Sequence, residues 1–316
     1  MPVIVADIGG THTRFGFWEN GSLDLCEKLK TADFKSIPES IAVYQERHGL
    51  QGIKKFAFAT AANPWADGTW HFTNLADRSF SIDDIKRAGF SVLAAEDDFS
   101  ATTAGCLSLS PQDKSILSIK AAAGRAGDPK IVLGPGTGLG MGYGLPNKDG
   151  SFRVQKAYGG HMLFTPLTDT HIEISRSVQK ERNLQRPVVF EDIACGSSFP
   201  ALYRACCSIA GTKPSDNFLD DPTDPAFVMA SDIFHEALGL FAHLCVVAIH
   251  GFGGVMMNGG FLDALIERQL WQKDKFLQGF HQKGVPIVAE DILNTPISIV
   301  TDTYISLIGV GRMIDA

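Results

Sequence analysis

An aspartate at the end of an apolar run, Asp7-Ile8-Gly9-Gly10-Thr11, and a second glycine-rich turn, Gly134-Pro135-Gly136-Thr137-Gly138-Leu139-Gly140, are the stretches of this chain best suited to chemistry. Each follows a β-rich segment, Val3-Ile4-Val5 and Ile131-Val132-Leu133, and each runs on into an alternating pattern rather than a helix. Glycines in such turns reach φ > 0 and let successive backbone N–H groups point into one concavity, which suits phosphate oxygens. Asp7 can face a metal ion while Thr11 and the backbone face phosphate. One turn in each half of the chain suggests a nucleoside triphosphate gripped between two lobes. Taken alone, either turn also reads as a plain hairpin connection. Neither is the Gly-x-x-x-x-Gly-Lys-Ser/Thr loop, and neither has the Gly-x-Gly-x-x-Gly spacing between strand and helix.

The elements that must hold these turns follow from periodicity. Thr13 to Glu19 alternates, Asn20-Gly21 is a two-residue hairpin signal, and Leu23 to Leu29 forms the return strand. Ser36-Ile37-Pro38-Glu39 reads as a capping box opening a helix that ends near Gly49, and Ser81-Ile82-Asp83-Asp84 caps another helix. The strand Ser91 to Ala95 ends in Glu96-Asp97-Asp98-Phe99-Ser100, from which a helix of small residues runs to Leu109. The second half repeats the theme. Strands lie at Lys130 to Leu133, Leu139 to Gly144 and Phe152 to Ala157, and helices start from His171, Glu191 and Ser198. A long amphipathic helix covers Phe227 to His250, and the strand Gly254 to Met257 opens into Asn258-Gly259-Gly260. Antiparallel hairpins leading into βαβ units, twice over, make this an α/β protein of two similar lobes.

The chain has 316 residues, 45% hydrophobic and 20% charged, with a formal net charge of −7. That length exceeds one comfortable core. The acidic balance and the lack of a basic run argue against nucleic acid or anionic membrane as partners. Six cysteines without a Cys-x-x-Cys pair read as reduced, buried thiols of a cytoplasmic protein. The N-terminus carries no charged-then-apolar leader pattern. The apolar stretch near Leu238 to Ile249 contains His243 and is too short to span a bilayer.

Asp7 to Thr11, Asp97-Asp98-Phe99-Ser100-Ala101, Gly134 to Gly140, Gly159-Gly160-His161, Phe190-Glu191 and Gly253-Gly254-Val255 to Gly259-Gly260 occur in the order seen in bacterial glucokinases. On these motifs the chain resembles that family, part of the actin-like ATPase superfamily, over nearly its whole length. The resemblance implies a two-lobe actin-like (ribonuclease H-like) fold, each lobe a mixed β-sheet with flanking helices. It places a small lobe at 1–108 plus 301–316 and a large lobe at 109–300. It also implies an ATP-dependent kinase acting on the 6-hydroxyl of glucose, with Asp98 as general base and helix capping as the alternative role for that residue. Asp7 would face magnesium through water. Gly9, Gly10 and Thr11 would form the first phosphate loop, Gly136, Thr137 and Gly138 the second, and Gly259 and Gly260 the adenosine-side loop. Asn74, Asp97, Asp98, Tyr158, His161 and Glu191 would line the sugar. The partners are then a small-molecule sugar and ATP. Many members of that family are homodimers, and no apolar stripe in this chain decides the matter.

Three positions depart from the family's pattern. Asp97 stands where the family has an Asn that binds sugar hydroxyls, and an ionised Asp only accepts hydrogen bonds. Tyr158 stands where it has a Glu that holds hydroxyls at the C1–C2 end of glucose, and His12 replaces an Asn after Gly-Gly-Thr. These changes keep open a kinase of another hexose or sugar derivative. A non-catalytic sugar- or nucleotide-binding regulator is the reading from a different class, against which the intact Asp7, Asp98 and glycine loops argue. The cysteine-rich zinc cluster of the repressor/open-reading-frame/kinase group is missing, since no Cys lies between His161 and Cys195.

Overall fold

A computed structural model describes residues 1–61, 67–72, 79–282 and 286–315. By their internal contacts the residues divide into two units, Met1–Pro111 with Asp302–Ala316, and Gln112–Thr301.

In the first unit β1 (Val3–Ile8), β2 (His12–Glu19) and β3 (Ser22–Lys30) form an antiparallel meander, and β4 (Lys55–Thr60) joins β1 in parallel. The Asn20-Gly21 turn takes φ of 50° and 79°, the left-handed pair that a two-residue hairpin requires. A small hairpin, β5 (Thr69–His71) with β6 (Ser79–Ser81), precedes β7 (Ser91–Asp97), which lies parallel to β4. The main sheet is ordered β3-β2-β1-β4-β7. Both its faces are covered, which explains why β1 is apolar at consecutive positions rather than alternate ones. Ile4, Ala6 and Ile8 pack with Phe56, Phe58, Ile41 and Tyr44, while Val3 and Val5 pack with Ala101, Leu307 and Val310.

The second unit holds β8 (Ile116–Lys120), β9 (Lys130–Pro135), β10 (Leu139–Pro146), β11 (Phe152–Ala157), β12 (Gly254–Met257) and β13 (Ile297–Val300) in the order β11-β10-β9-β12-β13-β8. As in the first unit, three antiparallel strands (β11, β10, β9) are followed by two parallel additions (β12, β13), and antiparallel β8 closes the edge. Each unit is thus the expected mixed sheet with flanking helices.

Two expectations are corrected. No α-helix starts at Glu191: Phe190–Asp192 is a single 3-10 turn, and the next α-helix is Phe199–Ala210. The apolar helix spans Pro225–Ile249, 25 residues, which is long enough for a bilayer. Burial rather than length settles its reading, because 67% of its apolar window lies inside the unit. Phe234, Leu238, Phe241 and Cys245 on this helix are fully buried, in one cluster with Phe276 and Phe280 of the Lys273–Phe280 helix.

Candidate functional site

The first unit gathers its acidic and glycine-rich motifs at one end of the sheet. Asp7 pairs with Ala59 and Thr60 pairs with Asp97, so the carboxyl ends of the parallel strands β1, β4 and β7 lie side by side. Ligands of open α/β sheets bind at that edge. Asp7 and Arg14 are register partners across the first hairpin, and Asp7 Oδ2 accepts from Arg14 Nη1 at 3.0 Å and from Ser306 Oγ at 3.0 Å. The turn beyond is held by Gly9 N–H donating to His12 O at 3.0 Å and by Thr31, whose hydroxyl donates to Gly9 O at 2.6 Å and whose N–H donates to Thr11 O at 3.1 Å. Burial, then the charges of Lys28, Arg14 and Lys30, hold His12 below its ordinary pKa, so its imidazole is neutral at pH 7. Arg14, Lys28 and Lys30 therefore supply the positive charge beside this turn.

Asp97 and Asp98 divide their work by one residue. Asp97 ends β7 as the N-cap of the Asp98–Ser108 helix, its Oδ1 accepting from Ser100 N–H at 2.9 Å. Its other oxygen accepts from the Ser100 hydroxyl. Capping, the alternative role weighed for Asp98, thus belongs to Asp97. Asp98 is the first helical residue, where the aligned peptide dipoles favour negative charge. Next to them, burial and then the charge of Asp97 raise the Glu96 pKa. Asn74 lies outside the described residues.

The second unit brings its candidates together around the β9–β10 turn. Gly196 N–H donates to Gly136 O at 2.8 Å and Ser197 N–H to Thr137 O at 3.3 Å, so the segment after Glu191 ties down the second glycine loop. Glu191 Oε2 accepts from Leu139 N–H at 2.8 Å, and its Oε1 lies 3.9 Å from His161 Nε2. Backbone pairing sets this meeting: Phe164 N–H donates to Val188 O at 2.9 Å and Phe190 N–H to Met162 O at 3.0 Å. Gly160 permits it, since a Cβ there would sit 2.2 Å from Leu139 O. Gly259 lies equally close to the loop, because its Cβ would meet the Pro135 carbonyl at 2.7 Å and Gly136 N at 3.0 Å. Gly260 then begins the Gly260–Glu267 helix, whose first N–H groups suit an anion. Tyr158 is 64% exposed, edge-on to His161 with ring centroids 6.1 Å apart, and Lys156 Nζ lies 5.2 Å from its ring centroid.

Among the candidates, Glu191, His161, Tyr158, Gly136, Thr137, Gly138, Gly259 and Gly260 are neighbours within the second unit, and Asp7, Gly9, Gly10, Thr11, Asp97 and Asp98 share one sheet edge of the first. Sequence reasoning missed Ser306, 299 residues from the Asp7 it touches, and missed the Leu139 N–H. Neither carries a sequence signal. A testable consequence follows at Gly138, where a Cβ would come 2.7 Å from Glu191 Oε2. In Gly138→Ala the carboxylate must swing off Leu139 N–H, so hydrogen exchange at that amide should speed up about tenfold, equivalent to ~1.4 kcal/mol, with little change in the melting temperature.

Magnesium keeps several waters and takes one or two carboxylates together with substrate phosphates. The single carboxylate of Asp7, at the head of the Gly9-Gly10-Thr11 turn, is a donor set that fits such a hydrated, nucleotide-borne ion.

The glucokinase family profile matches residues 4–316. The glucokinase of Hahella chejuensis (strain KCTC 2396) is 29% identical over 318 residues, covering 98% of this chain and 95% of that protein. The crystal structure of a glucokinase from an Antarctic psychrotroph aligns with a TM-score of 0.82 at 26% identity, covering 99% of this chain and 98% of the other. A ROK family glucokinase from Streptomyces griseus, solved in complex with glucose and AMPPNP, shares the fold at a TM-score of 0.62 and 17% identity, covering 99% of each chain.

Proposed function

The chain belongs to the glucokinase family, and from that premise we propose that it is an ATP-dependent hexose kinase that phosphorylates the 6-hydroxyl of glucose. The observation that carries this reading is Asp98, a carboxylate at a strand-to-helix junction on the carboxyl edge of the sheet, relieved of capping by Asp97. Asp98 accepts the proton of the sugar 6-hydroxyl as that oxygen forms its bond to the γ-phosphorus. The bond from the γ-phosphorus to the bridging oxygen breaks, ADP leaves with the electron pair, and Asp98 passes its proton to solvent. Gly9-Gly10-Thr11 and Gly136-Thr137-Gly138 form the turns that face phosphate oxygens in this reading, with Gly10, Thr11, Thr137 and Gly138 as the phosphate contacts. The N–H groups of Gly9 and Gly136 are given to His12 O and to the Gly134 and Gly138 carbonyls and serve to shape the turns. Gly259 and Gly260 leave room for ribose and base. Glu191 and His161 accept and donate hydrogen bonds to sugar hydroxyls. Bound magnesium, held through water by Asp7, would neutralise charge on the phosphates. The complex of the Streptomyces griseus relative with glucose and AMPPNP supports the same pair of ligands here. All six thiols are free and five are buried, Cys26 being only half-buried against expectation, which fits a cytoplasmic setting.

Tyr158 favours a second reading, in which the acceptor is another hexose or a sugar derivative. Its exposed ring beside His161 places an aromatic face, with Lys156 next to it, where the family pattern has a carboxylate. A site built to hydrogen-bond hydroxyls discriminates strongly between sugars that differ there. ATP-dependent phosphorylation of glucose, mannose, fructose, glucosamine, N-acetylglucosamine and anhydro-sugars decides between the readings. Glucose turnover is the expected result. Turnover confined to another sugar makes Tyr158 and Asp97 the specificity determinants, and silence across the panel overturns glucose as the acceptor, leaving a sugar outside the panel or a binding protein.

A further inference from the structure

The most completely enclosed charge near the sugar-side residues is not one of them. Asp192 follows Glu191 and is 1% exposed, yet its carboxylate accepts four hydrogen bonds. Arg182 Nη1 donates to Oδ1 at 2.7 Å, Arg186 Nη2 to Oδ1 at 3.1 Å and Arg186 Nη1 to Oδ2 at 2.5 Å. Val189 N–H donates to Oδ2 at 2.9 Å. Burial alone would raise the Asp192 pKa, but the Arg186 hydrogen bonds, the Val189 amide and the charges of both arginines outweigh it and hold the carboxyl below its ordinary value. The guanidinium groups reach in from solvent, with Arg182 and Arg186 side chains 31% and 51% exposed. Such an arrangement costs desolvation and needs a reason beyond packing.

The local chain supplies one. Asp192 closes the Phe190–Asp192 turn onto Val189, and Phe190, fully buried, hydrogen-bonds to Met162 O. Glu191 is the middle residue of that turn, so the turn's pitch fixes where its carboxylate arrives. Its carbonyl is held from the other side by Cys195 Sγ at 3.1 Å.

We propose that Asp192, clamped by Arg182 and Arg186, is a positioning residue that holds Glu191 against the Leu139 N–H of the second glycine loop and beside His161. This rests on the reading of Glu191 as a sugar contact. Asp192 touches no ligand in this scheme. It acts only through the turn, so its loss shifts sugar affinity and leaves nucleotide affinity in place.

Two readouts test it in the full-length protein. Asp192→Asn keeps the shape and removes the charge, and the Arg182→Gln/Arg186→Gln double variant keeps Asp192 and removes its clamps. For both, the expected result is a sugar KM raised about ten- to a hundredfold, the scale of a small misplacement of a binding group, with the KM for ATP unchanged. Hydrogen exchange at the Leu139 amide should lose its protection in parallel, and Asp192→Glu should restore part of each effect. Native protection at Leu139 together with native sugar KM in these variants overturns the proposal and leaves the clamp a stabilising feature only. Should Asp192→Asn fail to fold, the arginine double variant decides by the same readouts, because those side chains are partly solvated. Glu191→Gln separates the two layers of argument. If it leaves sugar KM unchanged, the sugar role of Glu191 fails, while the Leu139 exchange measurement still decides whether Asp192 positions it.

Discussion

On the proposal that Asp98 is the general base, Asp98→Asn is expected to lower kcat by about 10²- to 10⁴-fold, while calorimetric binding of sugar and nucleotide stays within a few-fold. The substitution is nearly isosteric and leaves the helix cap in place, because the carboxylate that accepts from Ser100 N–H belongs to Asp97. Loss of activity therefore cannot be charged to unravelling of the Asp98–Ser108 helix. The matched control is Asp97→Ala, which removes the cap and costs ~1 kcal/mol of stability in a thermal melt. An Asp98→Asn enzyme that keeps more than a tenth of its kcat would show that the proton of the 6-hydroxyl goes elsewhere. A protein with no turnover to lose, but intact sugar binding, would be a sensor on a kinase scaffold.

What the sequence disclosed and what it hid divide along physical lines. Features set by neighbouring residues were legible. The Asn20-Gly21 hairpin, the Ser36 cap over Glu39 N–H and the Ser81–Asp84 capping box stand where their residues predict them, although the box expected at Ser36 is only half made, the Glu39 carboxylate accepting from Lys35 N–H instead of Ser36 N–H. Both glycine turns were legible for the same reason, since each is a hairpin between adjacent strands. Features set by distant partners were not. Nothing near Asp7 announces Ser306, which arrives on the last helix. The turn at Glu191 was misread as a helix because an acidic residue after Val-Val-Phe resembles a helix start. Arg182 and Arg186, whose bonds to Asp192 accompany the short turn, carry no local signal that pairs them with it. The helix expected over Phe227 to His250 stands at Pro225–Ile249, but the extent of its apolar stretch was understated, because its apolar residues cover most of its circumference, a pattern that tertiary enclosure rather than amphipathic spacing explains.

Gly309→Ala is expected to destabilise the first unit by forcing its helix pair apart. A Cβ at Gly309 would lie 1.7 Å from Ala101 O, and one at Gly105 would lie 2.1 Å from Ile305 O, so the Asp98–Ser108 and Ile305–Asp315 helices touch backbone to backbone at two points. Two effects oppose each other. Alanine in a helix interior is intrinsically better than glycine by up to ~1 kcal/mol. Overpacking a close contact ordinarily costs about 1–3 kcal/mol, occasionally more, and here the obstacle is a carbonyl that no rotamer change can move. The steric effect wins, and at ~2–4 °C per kcal/mol the melting midpoint should fall by several degrees or soluble expression should be lost. Gly52→Ala, where no atom lies within 4 Å of the new Cβ, is the control and should stay within ~0.5 kcal/mol of the parent. The consequence reaches the chemistry as well. The displaced helices carry Asp98 on one side and Ser306 on the other, and Ser306 holds Asp7 at 3.0 Å. Any folded Gly309→Ala protein should therefore lose kcat along with stability, whereas unchanged kcat in a destabilised variant would detach the helix pair from the proposed role of this sheet edge.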